Sequence, residues 1–267
     1  MKNMIRKILA SLGYEIRRTS GRSVPFENFV NLVKAYEQRL NDNENLIPAN
    51  EMRPKLLARL MGTPPSEAYF IVQALAKCKD LPGDVCEFGV AQGETSALIA
   101  NEIFLSSHKR LHLFDSFRGL PKPSDKDKLK DDMFSLGSME SYAGTMASPD
   151  AMVRSRLKAI SFPEQRYVIH QGFIEQIIHE DQSLPPKVCF AYVDFDFYEP
   201  TKIALDFLHD VTPVDSIIIV DDYDFFSTGA KTAVDEFIQE KMLNGAKYEC
   251  TVPSIQYGHF AILTKRC

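Results

Sequence analysis

The chain has 267 residues, 45% of them hydrophobic and 25% charged, with a net charge of −5. That is enough apolar material for one large domain, or one domain with an appendage. The acidic balance excludes a general nucleic-acid binder, whose phosphate contacts need a concentrated positive surface. The cysteines Cys78, Cys86, Cys189, Cys250 and Cys267 are scattered, with no CxxC pair, so the chain reads as a cytoplasmic protein without a disulfide framework or structural zinc.

In chain order, the opening "MKNMIRKILASLGYEIRR" is basic and amphipathic. Met4, Ile5, Ile8, Leu9 and Leu12 fall on one helical face, with Lys2, Arg6 and Lys7 around them. The apolar stretch is too short and interrupted for a signal peptide, and no run in the chain approaches a membrane span. A helix packed on the body or on a second subunit is expected, which makes a homodimer a candidate assembly. Residues 1–60 read as a helical extension and 61–267 as the main domain.

From "TPPSEAYFIVQALAKCKD" the pattern changes. Prolines precede an amphipathic helix opened by Ser66 and Glu67. Short apolar runs then alternate with helical patterns. The runs are "DVCEFGV" (84–90), "RLHLFDS" (110–116), "RYVIHQG" (166–172), "CFAYVDF" (189–195), "DSIIIVDD" (215–222), "YECTVPS" and "HFAILTK". The helical patterns are "ETSALIANEIFLS", "SPDAMVRSRLKAI", "EPTKIALDFLHDV" and "GAKTAVDEFIQEKML". Such alternation implies an α/β fold with a mostly parallel sheet covered on both faces. The last two runs, joined only by a loop, imply an antiparallel end. Residues 121–150, long, charged and Gly/Ser-containing, break the rhythm as a lid or insertion.

Ligands of an open parallel sheet bind at the carboxyl ends of the strands. Glu87 lies in the first strand, and "FGVAQGETS" follows it. Gly89 and Gly93 allow a tight turn and close approach of a ligand, and Thr95 and Ser96 open the next helix, whose free N–H groups face the site. This is E-x-G-x-x-x-G, not the G-x-G-x-x-G dinucleotide fingerprint, and alone it is often only a turn. Asp115 ends the second strand, where one carboxylate can accept from both hydroxyls of a ribose. Together the two signals point to a nucleoside-type ligand. Gln171, Gly172 and Phe173 end the third strand, at the border of an adenine ring or as a plain strand exit.

The fourth strand ends in Asp194 and Asp196, the fifth in Asp221 and Asp222. One helix lies between, so the strands are expected to be neighbours and their acids to crowd one rim. Crowded carboxylates raise each other's pKa unless a cation sits among them. Oxygen donors without a His/Cys set favour Mg²⁺ over zinc. The competing reading has each acid capping the helix that follows it. Asp150 reads as a helix-start acid, His259 as a structural histidine near the rim, Glu199 as an acid that complements a helix start, and Lys231 as solvated or paired with the cluster.

In "PGDVCEFGVAQGETS", "LHLFDSFRGLP", "AYVDFDFYEPTKIALDFL" and "SIIIVDDYDFFSTGAKTAVDEF" the chain resembles the class I S-adenosylmethionine-dependent methyltransferases of the macrocin O-methyltransferase (TylF) type, over roughly residues 62–240. "KILASLGYEIRR" is similar to the openings of bacterial enzymes of this kind. The resemblance implies a Rossmann-like, seven-stranded sheet. It implies that Glu87, Gly89 and Gly93 frame the methionine end of the cofactor and that Asp115 holds the ribose with Ser116 beside it. It also implies that Asp194, Asp221 and Asp222 bind Mg²⁺, with Asp194 as base and Asp196 a ligand or a brace. The chain departs from the family at Phe195, where glycine is common, and at "VAQG", where an aromatic and a basic residue are common. The implied reaction is methylation of one hydroxyl of a sugar diol or catechol-like pair, on a bacterial natural product or surface glycan. A glycosyltransferase built on "DFD" leaves the glycine turn and Asp115 unexplained. An aspartyl phosphatase would carry D-x-D on its first strand. A non-catalytic cofactor-binding protein would have no need of an intact acid cluster.

Overall fold

The computed structural model describes residues 29–32, 34–35, 50–106 and 108–267. The amphipathic opening at residues 2–12 lies outside the described residues. Seven strands form one sheet: β1 (Asp84–Phe88), β2 (Leu111–Asp115), β3 (Tyr167–Gln171), β4 (Val188–Val193), β5 (Ile217–Val220), β6 (Tyr248–Thr251) and β7 (Ala261–Lys265). Their order is β3-β2-β1-β4-β5-β7-β6. The first five are parallel, while β7 runs antiparallel to both β5 and β6. The expected α/β, Rossmann-like sheet with an antiparallel end is therefore present.

Besides the helical residues 29–32 and 34–35, the helices among the described residues are α1 (Arg53–Leu57), α2 (Pro65–Cys78), α3 (Glu94–Ser106), α4 (Asp150–Ala159), α5 (Ile174–Glu180), α6 (Tyr198–Val211) and α7 (Gly229–Leu243). Period-two strands divide their side chains between two cores. Ile217 and Ile219 join Val85, Leu111 and Leu113 under α2, α3 and α4. Ile218 and Val220 join Cys86, Phe88 and Val193 under α5, α6 and α7. The pairing of β1 with β4 slips between Asp84 and Val85, so Val188 and Phe190 are successive partners. The extra residue is Cys189, and both it and Phe190 consequently face the first core. All five cysteines are free thiols.

Helix α5 is absent from the sequence expectation; its seven residues, "IEQIIHE", are too few to establish a helical period. The segment between β2 and α4 holds one 3₁₀ turn, Glu140–Tyr142. It packs through Met139 and Tyr142 onto Phe197 and Phe226, just beyond β4 and β5. No helix among the described residues is long and apolar enough to cross a membrane.

Candidate active site

Strand order reverses between β1 and β4, and the site lies at their carboxyl ends. Gly89 follows β1 at φ +82°. A Cβ there would sit 1.8 Å from the carbonyl oxygen of Asp194, so only glycine lets the two turns meet. Asp194 N donates to Phe88 O at 2.7 Å and locks the same contact from the other side. Gly93, at φ +83°, lies against Val153 of α4, 3.1 Å from where its Cβ would be.

Asp115 holds this turn in place. Its Oδ2 accepts from Val90 N and Ala91 N, both at 2.8 Å, and its Oδ1 accepts from Phe117 N at 2.6 Å. Ser116 Oγ shapes the turn after β2, accepting from Arg118 N and donating to Gly119 O. Gly172 N donates to Asp115 O at 3.0 Å, so the end of β3 is tied to the same corner. Gln171 is exposed there, and Phe173 is the N-cap of α5.

Glu87 is buried beneath the glycine turn, and its Oε2 has no hydrogen-bond partner. Burial lifts its carboxyl to about 8, against the opposing pull of the Ser96 hydroxyl and with help from the charges of Asp115 and Glu94. Ser96 is fully buried in the first turn of α3. Beside it, Thr95 Oγ1 lies 3.0 Å from Thr63 Oγ1.

At the acidic rim, one carboxylate oxygen each of Asp194, Asp196 and Asp222 lies within 4.8 Å of the others. Burial, and then the neighbouring acids, push Asp194 and Asp196 well above the usual carboxylate range. Asp222 rises to about 7 from burial and the charge of Asp221. Asp196 and Asp222 both have left-handed backbones, at φ +62° and +54°. No side chain of an N-cap residue caps α6 or α7, so the rim acids do not cap the helices that follow them.

Asp221 differs from the sequence expectation that groups it with Asp194 and Asp222. Its Oδ2 accepts from Tyr192 OH at 2.5 Å, and its Oδ1 accepts from Asp222 N at 2.7 Å. Strand period turns adjacent residues to opposite faces, and Tyr192 waits on the Asp221 face. Tyr192 OH also lies 3.2 Å from Glu67 Oε1 and from Thr63 Oγ1. A buried chain of polar groups thus runs from Thr95, in the first turn of α3, to Asp221. Glu67 is raised far above its usual range by burial and by Asp221. Sequence reasoning gave Glu67 only a helix-start role; its signal was an acid on the apolar face of "SEAYFIVQALA".

The remaining candidates take ordinary places. His259 stacks on Phe225 with centroids 4.4 Å apart, and its carbonyl accepts from Tyr223 N. Lys231 pairs with Tyr223 OH and Asp235, not with the cluster. Asp150 pairs with Arg154 one turn along α4.

The fold has known counterparts. The chain is similar in fold to the O-methyltransferase NovP, at 18% identity and a TM-score of 0.61, over 91% of this chain and 97% of that one. It is also similar to CalS11, a calicheamicin methyltransferase, at 21% identity and a TM-score of 0.60, over 93% and 99%. A second CalS11 structure, described as a TDP-rhamnose 3′-O-methyltransferase, has a TM-score of 0.54 at 20% identity, over 93% and 96%. No curated protein sequence matched. The family profile for macrocin O-methyltransferase (TylF) matches residues 66–249. Because that match takes in the glycine turn, Asp115 and both acidic strand ends, the chain belongs to the macrocin O-methyltransferase (TylF) family and is an O-methyltransferase.

Proposed function

We propose that the enzyme transfers the methyl group of S-adenosylmethionine to one hydroxyl of a vicinal diol, on a sugar of a bacterial natural product or surface glycan, with Mg²⁺ at the acidic rim. One observation carries the reading. The glycine turn and the acid cluster are in contact, Gly89 against Asp194, so methyl donor and acceptor would share one site. The CalS11 structure described as acting on TDP-rhamnose is a precedent for a sugar acceptor.

Glu87, Gly89, Gly93, Thr95 and Ser96 would frame the methionine end of the cofactor. Asp115 and Ser116 would face the ribose, and Gln171, Gly172 and Phe173 the adenine. Glu87 Oε2, buried without a partner, would be completed by an ammonium. Oxygen donors within 4.8 Å of one another, crowded enough to repel, fit a hard divalent cation. Asp194, Asp196 and Asp222 would hold it, with Asp221 alongside. When bound, such a cation lowers the pKa of a coordinated hydroxyl, as it does for water.

The remaining chemistry belongs to the chain. Asp194, at the end of β4 and against the glycine turn, would take the acceptor proton. The turns after β1 and β4 orient donor and acceptor for in-line attack. The insertion, packed on Phe197 and Phe226, would wall the rim and exclude water.

The test is calorimetric titration of the metal-stripped protein with S-adenosylmethionine and S-adenosylhomocysteine, with and without Mg²⁺ and in Asp115→Ala. Micromolar binding that is lost in the variant is expected, followed by Mg²⁺-dependent turnover on a panel of sugar diols. No cofactor binding under any condition would remove the proposal.

A further inference from the structure

The rim is held in shape from a distance. Asp196, at φ +62°, is the centre of a γ-turn in which Phe197 N donates to Phe195 O at 2.6 Å. A side chain with a Cβ adopts that conformation only when its surroundings enforce it. Two contacts do so. Ser227 Oγ donates to Asp196 O at 2.9 Å and itself accepts from Gly229 N at 2.9 Å. The second contact comes from the insertion. Helix α6 has Phe197 at its N-cap, a residue with no side-chain acceptor for the first free amides. Tyr198 N donates instead to Asp127 Oδ1 at 2.7 Å, across 71 residues of sequence.

Asp127 is buried, and its other oxygen accepts from Ser124 N and Ser124 Oγ, each at 2.7 Å. A Cβ at Gly229 would lie 1.9 Å from Asp127 Oδ1, so the start of α7 is kept bare to admit this carboxylate. The backbone on either side is stitched to the turn after β5. Lys128 N donates to Thr228 Oγ1, Thr228 N to Lys128 O and Lys130 N to Phe226 O. One carboxylate of the insertion thus stands at the starts of both α6 and α7, directly behind the two acidic turns.

We propose that Asp127 is a positioning residue for the cation site: by capping α6 from the insertion it fixes the turn that carries Asp194 and Asp196, so that docking of the insertion and occupation of the rim by a divalent cation are one linked equilibrium. This rests on the cation reading given above. Linkage is reciprocal. A docked insertion tightens cation binding, and a bound cation protects the insertion by the same factor.

The test uses the full-length, metal-stripped protein. Mn²⁺ and Mg²⁺ affinities are measured by calorimetry for the wild type, Asp127→Ala, Asp127→Asn, Ser227→Ala and Lys126→Ala. Trypsin cleavage at the exposed Lys126, Lys128 and Lys130 is timed with and without cation. Asp127→Ala is expected to weaken the cation about tenfold, the scale of outer-shell partners at metal sites, and to lose most of the cation's protection of the insertion. Asp127→Asn, which keeps an acceptor for Tyr198 N, falls between Asp127→Ala and wild type. Ser227→Ala shows the same kind of loss and serves if Asp127→Ala does not fold. Lys126→Ala, which removes the exposed pair with Glu236 and the contact of the ammonium with the Tyr198 ring but no hydrogen bond to the Asp196 turn, leaves affinity unchanged. Equal cation affinity in wild type, Asp127→Ala and Ser227→Ala, or cleavage of the wild-type insertion at one rate with and without cation, would overturn the inference. A wild type that binds no divalent cation would instead overturn the cation reading on which it rests.

Discussion

If Glu87 meets the ammonium of the cofactor, its buried carboxyl would tie cofactor affinity to pH. In the free site its carboxyl is held near 8 by burial, so at pH 6 it is about two units below its midpoint and almost wholly protonated. Ionising it there costs about 2.7 kcal/mol, and at pH 7 about 1.4 kcal/mol, at ~1.36 kcal/mol per unit. If the methionine ammonium pairs with the carboxylate, cofactor binding includes that cost. The dissociation constant should then fall about tenfold per pH unit between pH 5.5 and 7. Over that range the ligand's own amine, with a pKa of about 7.7–8.0, stays charged. Calorimetry with S-adenosylhomocysteine in buffers of different ionisation enthalpy should register close to one proton released per ligand at pH 6. Glu87→Gln should flatten the slope and abolish the release. A pH-independent affinity in the wild type, or the same slope in Glu87→Gln, would refute the reasoning. Stability moves the other way. A raised folded pKa contributes stability that is full below the ordinary glutamate value of about 4.3 and is lost as pH rises through about 8, so the cofactor-free protein should weaken over the range in which the ligand binds more tightly.

Gly89→Ala should abolish cofactor binding and destabilise the fold by about 3 kcal/mol or more, from a left-handed φ and a backbone overlap together. Denaturant unfolding reads the stability, and a variant as stable as wild type would contradict the contact with Asp194. Asp194→Asn and Asp222→Asn should each remove calorimetrically detectable Mg²⁺ binding while leaving S-adenosylhomocysteine affinity within a few-fold; wild-type Mg²⁺ affinity in either would dismiss the rim as a cation site. Tyr192→Phe leaves Asp221 and Glu67 buried without their common donor and should cost about 1–3 kcal/mol by chemical denaturation. An unchanged midpoint would mean that another donor serves them.

The parts of the site that were legible in the sequence are those set by local chemistry. "EFGVAQGETS" must turn tightly between a strand and a helix, and α3 and α7 occupy the residues their periodicity marks. The strands were readable because both faces of the sheet are covered, which makes each run apolar. Asp221 shows the limit. Nothing in "VDDY" tells which aspartate faces which side, because Tyr192 and Glu67, distant in sequence, decide it. Asp127 was hidden more deeply, in "SDKDKLKDD", where several aspartates look alike and only the fold chooses the one that reaches Tyr198. The missing cap on α6 was visible in principle: a phenylalanine before a helix start leaves its amides to be answered from elsewhere.

The placement of β7 bears on the order in which the molecule matures. Strand β5, which delivers Asp221 and Asp222, has β4 on one side and on the other a strand made only after α7 and β6. Tyr223, next to those acids, donates its amide to His259, in the same late segment. During synthesis both acidic turns emerge well before the residues that fix the second of them. A nascent chain lacking residues 259–265 would carry every acid of the rim and still leave one edge of β5 open. The second acidic turn therefore takes its fixed form only when β7 pairs with β5, the same step that gives β6 its partner in the sheet.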